Sequence, residues 1–114
     1  MTTITNVTHG AVLATDAETA RNPWTRFLGL MGRAGLPAGG GLVFPGEKGV
    51  HTHFMRFPID VVFYDRELVV LDVVEGLRPW RFSPYRWHAR GLIELPAGTA
   101  RVTGTRPGDR LSIA

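Results

Sequence analysis

Two runs constrain this chain more than anything else in it: Ile59–Tyr64 (IDVVFY) and residues 68–74 (LVVLDVV). Both are short, rich in β-branched and aromatic residues, and bounded by polar residues. Asp65-Arg66-Glu67 joins them, which is a hairpin signal without the ideal Asn-Gly turn. Each run is largely apolar on both faces, so the two strands are expected to be central in a sheet and covered. A hairpin of this kind needs further strands beside it and a layer over it.

The rest of the chain supplies candidates for both. Residues 4–7 and 11–14 lean to β and are joined by His9-Gly10, which predicts a hairpin. Residues 41–44 form a strand stopped by Pro45-Gly46, residues 89–95 a strand ended by Pro96, and residues 111–113 a last strand after the Pro107-Gly108-Asp109 turn. Thr99 to Val102 predicts one helical turn before Gly104. Two helix signals come earlier. Thr15 with Glu18 has the form of a capping box and predicts a short helix to about Arg21. Asn22-Pro23 restarts the count, and Trp24, Phe27, Leu28 and Met31 fall on one apolar helix face, with Gly32 as the stop. The pattern as a whole predicts a mainly β fold, a compact barrel-like or sandwich domain, with one short helix at about residues 23–31 packed on it.

Length and composition bound the function. At 114 residues the chain reads as a single domain, residues 1–114, able to bury roughly two thirds of its unfolded surface. It has no cysteine, which excludes disulfides, thiolate metal sites and cysteine nucleophiles, and fits a reducing compartment. No run approaches the ~20 apolar residues of a membrane span, and no Lys or Arg precedes Arg21, so the start does not read as a signal peptide. The expectation is a cytoplasmic protein. The net charge of +3 is mild but uneven. Arg78, Arg81, Arg86 and Arg90 fall in a stretch without a single acid between Glu75 and Glu94.

The candidate chemistry concentrates in His51 to Asp60. His51 and His53 share one face of an extended strand, about 7 Å apart, a spacing that suits adjacent positions on a metal. A third ligand would come from Asp60, His88 or Glu94. Arg56 and Asp60 have the same parity along a strand, which reads either as a structural ion pair or as a guanidinium fork offered to an anion. Residues 78–90 (RPWRFSPYRWHAR) interleave rings and arginines as single-stranded nucleic-acid binders do; the same stretch also reads as an irregular excursion that packs its rings on a core. The three glycines at 39–41 follow no strand and precede no helix, so they read as turn punctuation and not as a phosphate loop. Glu94, among Leu92, Ile93 and Leu95, reads as a partner for Arg90 on the same strand face.

These residues also carry a resemblance. Arg26-x-x-Gly29-Leu30-Met31-x-Arg33, Gly41-Leu42-Val43-Phe44, His51-Thr52, Met55-Arg56, Pro58-Ile59-Asp60-Val61-Val62-Phe63, Leu92-x-Glu94-Leu95-Pro96-Ala97-Gly98 and Gly108-Asp109 occur in this order. The ordered set resembles the prokaryotic family called domain of unknown function 192, over roughly residues 10 to 113. The resemblance implies a small, mostly β barrel-like or sandwich fold with an early helix and no established enzyme activity. It nominates Arg33, His51, Met55, Arg56, Asp60 and Glu94 as the candidate site.

Together these readings favour a small non-catalytic binding or accessory domain for a small anionic or carboxylate-bearing ligand or peptide, with Arg56 as anchor, no cofactor, no membrane and an undetermined oligomeric state. No nucleophile–base pair is legible. The enzyme alternative is a metal-assisted hydrolase or lyase using His51, His53 and Asp60. The second alternative, which the sequence favours less, is nucleic-acid binding through residues 78–90.

Overall fold

β-Branched residues dominate the centre of the chain, and there they build a sheet. The computed structural model describes residues 2–22 and 33–114. Seven strands form one curled sheet: β1 (Thr2–Asn6), β2 (Ala11–Thr19), β3 (Gly40–Pro45), β4 (Ile59–Tyr64), β5 (Val70–Leu77), β6 (Gly91–Pro96) and β7 (Leu111–Ile113). Their order is β5-β4-β6-β3-β2-β1-β7. Among the described residues there is one short helix, α1 (Thr99–Thr103). The strand pairings are antiparallel except β2 with β3. The sheet curls until its outer strands meet. Val69 bridges Arg110, the Leu111 N–H donates to the Leu68 carbonyl at 2.8 Å, and the Val70 N–H to the Asp109 carbonyl at 2.7 Å. This contact covers two sheet edges that would otherwise expose unpaired backbone.

The expectation of a mainly β, barrel-like fold is met, and so are the β1–β2 hairpin, the central β4–β5 hairpin and the turn of helix at residue 99. Every residue of β4 is buried. The hairpin turn is longer than expected. The Asp65 carboxylate accepts the Glu67 and Val69 N–H groups at 2.8 and 3.0 Å, and Leu68 takes a left-handed φ of 61°. β5 therefore begins at Val70 and not at Leu68.

One expectation fails outright. Residues 15–18 are not a helix but the middle of β2. The Thr15 and Asp16 N–H groups both donate to the Gly39 carbonyl, at 2.9 and 3.0 Å, and Ala14 and Ala17 are buried against the core. Sheet pairing on both sides, to β1 and to β3, satisfies more backbone than a capping box does. The helix expected at residues 23–31, with Trp24, Phe27 and Leu28 buried, lies outside the described residues.

The sheet separates two apolar clusters. One fills the concave side: Ile4, Leu13, Val43, Val62, Tyr64, Ile93, Leu95 and Leu111. The other lies on the opposite face: Leu42, Phe44, Ile59, Val61, Phe63 and Leu92, with Met55, Ala89, Val50 and Phe57 packed onto them from outside the sheet. Those last four residues belong to two long connections, 46–58 and 78–90, which form a flap over this face. Glycine matters where backbones approach closely. A Cβ on Gly41 would press on Leu95 at 3.1 Å, and one on Gly91 would collide with the Tyr64 ring. The Gly39–Gly41 run thus serves a turn, as expected, and also a close approach of β3 to Leu95.

Candidate ligand-binding surface

The flap is held by backbone pairing and by one threonine. The Ser83 N–H donates to the Val50 carbonyl and the Arg86 N–H to the Lys48 carbonyl, each at 2.8 Å, and His51 bridges Phe82. Thr52 is fully buried between the two connections. Its hydroxyl donates to the Arg78 carbonyl at 2.5 Å and accepts the Arg81 N–H at 2.8 Å. Its carbonyl accepts the Met55 and Trp80 N–H groups at 3.2 and 3.0 Å.

With Thr52 pointing inward, its neighbours point out. His51 and His53 meet edge to face, ring centroids 5.2 Å apart. His53 also touches Phe82 at 4.9 Å and Trp80 at 5.3 Å, and Phe54 touches Trp80 at 4.7 Å. These rings are not core: Phe54, Trp80 and Phe82 are 60, 52 and 75% exposed. Phe54 and Trp80 each hold a positive φ, 67° and 63°, a conformation that costs on the order of 1–3 kcal/mol for such residues. The exposed aromatic cluster is thus held at a conformational cost, on connections anchored by a buried threonine. Arg56 is exposed two residues beyond Phe54 and makes no ion pair among the described residues.

The six nominated residues do not come together. His51 belongs to the ring cluster, and Arg56 is exposed two residues after Phe54 in the chain. Met55 is 4% exposed and packs in the outer core with Leu42, Ile59 and Val61. Asp60 does not pair with Arg56. Fully buried, its Oδ1 accepts the Gly76 N–H at 2.9 Å and its Oδ2 the Gly98 and Ala100 N–H groups at 3.1 and 2.9 Å. It caps α1 from a distance, a helix whose own N-cap, Gly98, offers no side chain. The parity argument for an Arg56–Asp60 pair assumed a continuous strand; β4 starts only at Ile59, after the turn at Phe54.

Glu94 and Arg33 form a separate unit. Glu94 pairs with Val61 and Leu42, and Leu42 with Glu18, so these side chains share a row on the outer face. Asp60, opposite Leu95, faces the other side of the same sheet. Glu94 is 3% exposed, and its Oε1 has no hydrogen-bond partner among the described residues. Burial pushes its carboxyl up to about 8, and the Arg33 guanidinium partly opposes the rise. Arg33 itself reaches the Glu18 carboxylate at 3.3 Å. Arg90, the partner expected for Glu94, lies beyond the other end of β6.

Among the described residues no three His, Asp or Glu side chains converge as a metal site requires. The His51 Nδ1 accepts the His53 N–H at 3.3 Å, and Asp60 is committed to backbone amides. The set His51, His53 and Asp60 needed for a metal-assisted hydrolase or lyase is not assembled.

Two groups escaped the sequence reading. Thr52 is one; simple alternation, with His51 and His53 outward, would have turned it inward. The other is a buried polar knot. The Asn6 amide donates to Thr105 Oγ1 at 3.1 Å and Asp109 Oδ2 at 2.9 Å, and His9 Nε2 lies 3.1 Å from the same carboxylate. Burial alone would raise the Asp109 carboxyl; the Asn6 amide, the Arg106 N–H and the nearby His9 and Arg106 outweigh it and hold it below the usual range. Its members are roughly a hundred residues apart in sequence, and no local pattern points to it.

The sequence profile of the family domain of unknown function 192, described as an uncharacterized ACR, matches residues 4–113. The chain belongs to this family. A UPF0127 protein of Pyrococcus furiosus is 37% identical over 112 residues, 93% of each chain. One from Thermococcus gammatolerans is 33% identical over 113 residues, covering 96% of this chain and 73% of the relative. The fold recurs in two crystal structures. A Novosphingobium aromaticivorans protein of unknown function superposes with a TM-score of 0.81 at 22% identity, over 97% of this chain and 82% of that one. A Sinorhizobium meliloti protein, proposed to be a transcription regulator, gives 0.82 at 25% identity, over 97% and 90%. This member of the family has, among its described residues, no helix long and apolar enough to cross a membrane.

Proposed function

We propose that this protein is a small, non-catalytic binding domain that recognises a carboxylate-bearing ligand with an apolar or aromatic portion, such as a peptide C-terminus. The observation that carries the reading is the exposed ring cluster of His51, His53, Phe54, Trp80 and Phe82, followed two residues after Phe54 by the exposed Arg56, which makes no ion pair among the described residues. Rings supply contact area at low conformational cost. A free guanidinium supplies the bidentate carboxylate fork. His51 adds a second polar contact through its remaining ring nitrogen. Binding is favoured over catalysis because the carboxylate nearest the cluster in sequence, Asp60, is occupied by three backbone donors. The cysteine-free composition suits a reducing compartment, and the reading places the domain in the cytoplasm.

A thermal-shift comparison tests it with N-acetyl-phenylalanine, a mimic of a peptide terminus, against its uncharged amide. A ligand of the native state at ten times its dissociation constant adds about 1.4 kcal/mol, several degrees in Tm for a domain this size. The carboxylate is expected to raise Tm and the amide to raise it less. Arg56→Ala should erase the difference, and Trp80→Ala should weaken both responses. Equal responses to acid and amide, unchanged in Arg56→Ala, would refute the assignment.

A further inference from the structure

An open cleft lies at the other end of β4. The ring cluster is built from residues that precede Ile59 and follow Leu77. The cleft forms beyond Tyr64, where β3 and β4 end and β6 begins. It has a volume of about 560 Å³ and is lined by the cations Lys48, Arg66 and Arg90, the carboxylates Asp65 and Glu67, and the rings of Trp87 and His88. That volume lies within the usual range for small-molecule sites, about 300–1,000 Å³. The backbone around it is fixed: the Gly46 N–H donates to the Arg90 carbonyl at 2.7 Å and the Arg90 N–H to the Tyr64 carbonyl at 2.8 Å.

Three features of the lining specify a ligand. Trp87 is 75% exposed and meets Tyr85 edge to face at 4.7 Å, so most of the indole is left open to a ligand. Arg66 and Arg90 are exposed and make no ion pair among the described residues. Lys48 is anchored by its bond to the Ala89 carbonyl at 2.7 Å, which leaves two of its ammonium protons free. Against these three cations stand two carboxylates, and Asp65 already accepts two N–H groups of its own turn. A small cationic excess suits one phosphate and disfavours a polyphosphate.

We infer that this cleft binds a nucleotide unit, with the base stacked on Trp87 and a single phosphate held by Arg66 and Arg90. Base–aromatic stacking tolerates any base because every base presents a π-face. Two guanidiniums on one phosphate give the geometry arginine is suited to. The site is distinct from the ring cluster near Arg56 and does not depend on what that surface binds. The source of the unit, a free mononucleotide or one nucleotide of a single strand, shares this chemistry, and the arms of the test separate the two.

The test uses equilibrium dialysis, which does not rely on Trp87 as reporter, with adenosine 5′-monophosphate, adenosine, inorganic phosphate and a short single-stranded oligonucleotide. The monophosphate is expected to bind saturably and to quench tryptophan emission, while adenosine and phosphate each bind at least tenfold more weakly. Trp87→Ala, and separately the Arg66→Gln/Arg90→Gln pair, should each raise the dissociation constant about tenfold or more. Arg56→Ala should leave it unchanged. Tighter binding of the oligonucleotide, with the same variant dependence and a fall as salt rises, assigns the unit to a strand; tighter binding of the monophosphate assigns it to the free nucleotide. Absence of saturable binding by either at low salt, or binding unaltered in both sets of variants, overturns the inference. Should Trp87→Ala fail to fold, the arginine pair decides alone.

Discussion

Replacing Glu94 with methionine should make the protein more stable at neutral pH, by an amount that grows as pH rises. Glu94 sits in an apolar row between Leu42 and Val61, with one carboxyl oxygen unpartnered among the described residues. Its carboxyl is pushed from an ordinary 4.5 up to about 8 by burial, against the opposing Arg33 charge. The folded state therefore holds a proton that the unfolded chain has already released. Its stabilising contribution is complete below about pH 4.5 and is lost as pH rises through about 8. At 1.36 kcal/mol per tenfold that loss is on the order of 4 kcal/mol between pH 5 and 9. Methionine fills similar volume, ionises nowhere and leaves no orphan oxygen. Urea unfolding of both proteins at pH 5, 7 and 9 measures the effect as a change in their difference, which cancels the other titrating groups. The m-values should agree, so that midpoints report stability. Arg33→Gln, which removes the opposing charge, should move the fall to higher pH. A difference constant to within about 0.5 kcal/mol over this range would refute the reasoning, because Glu94 would then ionise at its ordinary value in the fold.

Three further outcomes follow from the packing. Asp60→Ala strands three backbone N–H groups and should cost about 3 kcal/mol or more in urea unfolding, since each buried unsatisfied group costs about 1–3 kcal/mol; Arg56→Ala should cost almost nothing, the opposite of what an ion pair between them would give. Gly91→Ala drives a Cβ into the Tyr64 ring and to 3.0 Å from the Phe44 carbonyl, and should destabilise by about 2 kcal/mol, with partial recovery in a Tyr64→Phe background. Thr52→Val keeps the shape but removes the hydroxyl between Arg78 and Arg81; it should cost about 1–3 kcal/mol and speed hydrogen exchange at the Arg81 amide, whereas unchanged exchange would show that the flap holds without it.

What the sequence determined is whatever depends on neighbours in the chain. Runs of β-branched residues cut by Pro and Gly placed the strands, and the apolar filling of residues 59–64 on both faces marked β4 as central, because a strand between two covered faces has no side left for polar residues. The left-handed turn at Gly104 ended α1 in the same local way. The tertiary structure decided everything set by partners far apart. Thr15 and Glu18 read as a helix start because a capping box is local; the pairing of β2 with β1 and β3 outcompeted it. Asp60 was matched to the nearest arginine, yet its donors lie 16, 38 and 40 residues away. The unusual ionisation of Glu94 arises from the strands on either side of it. The ring cluster and the cleft likewise exist only because the flap folds back across the sheet, bringing Phe54 to Trp80 and Lys48 to Ala89. Side-chain pattern specifies which face is apolar; it carries no record of which distant backbone amide or ring will be brought against that face.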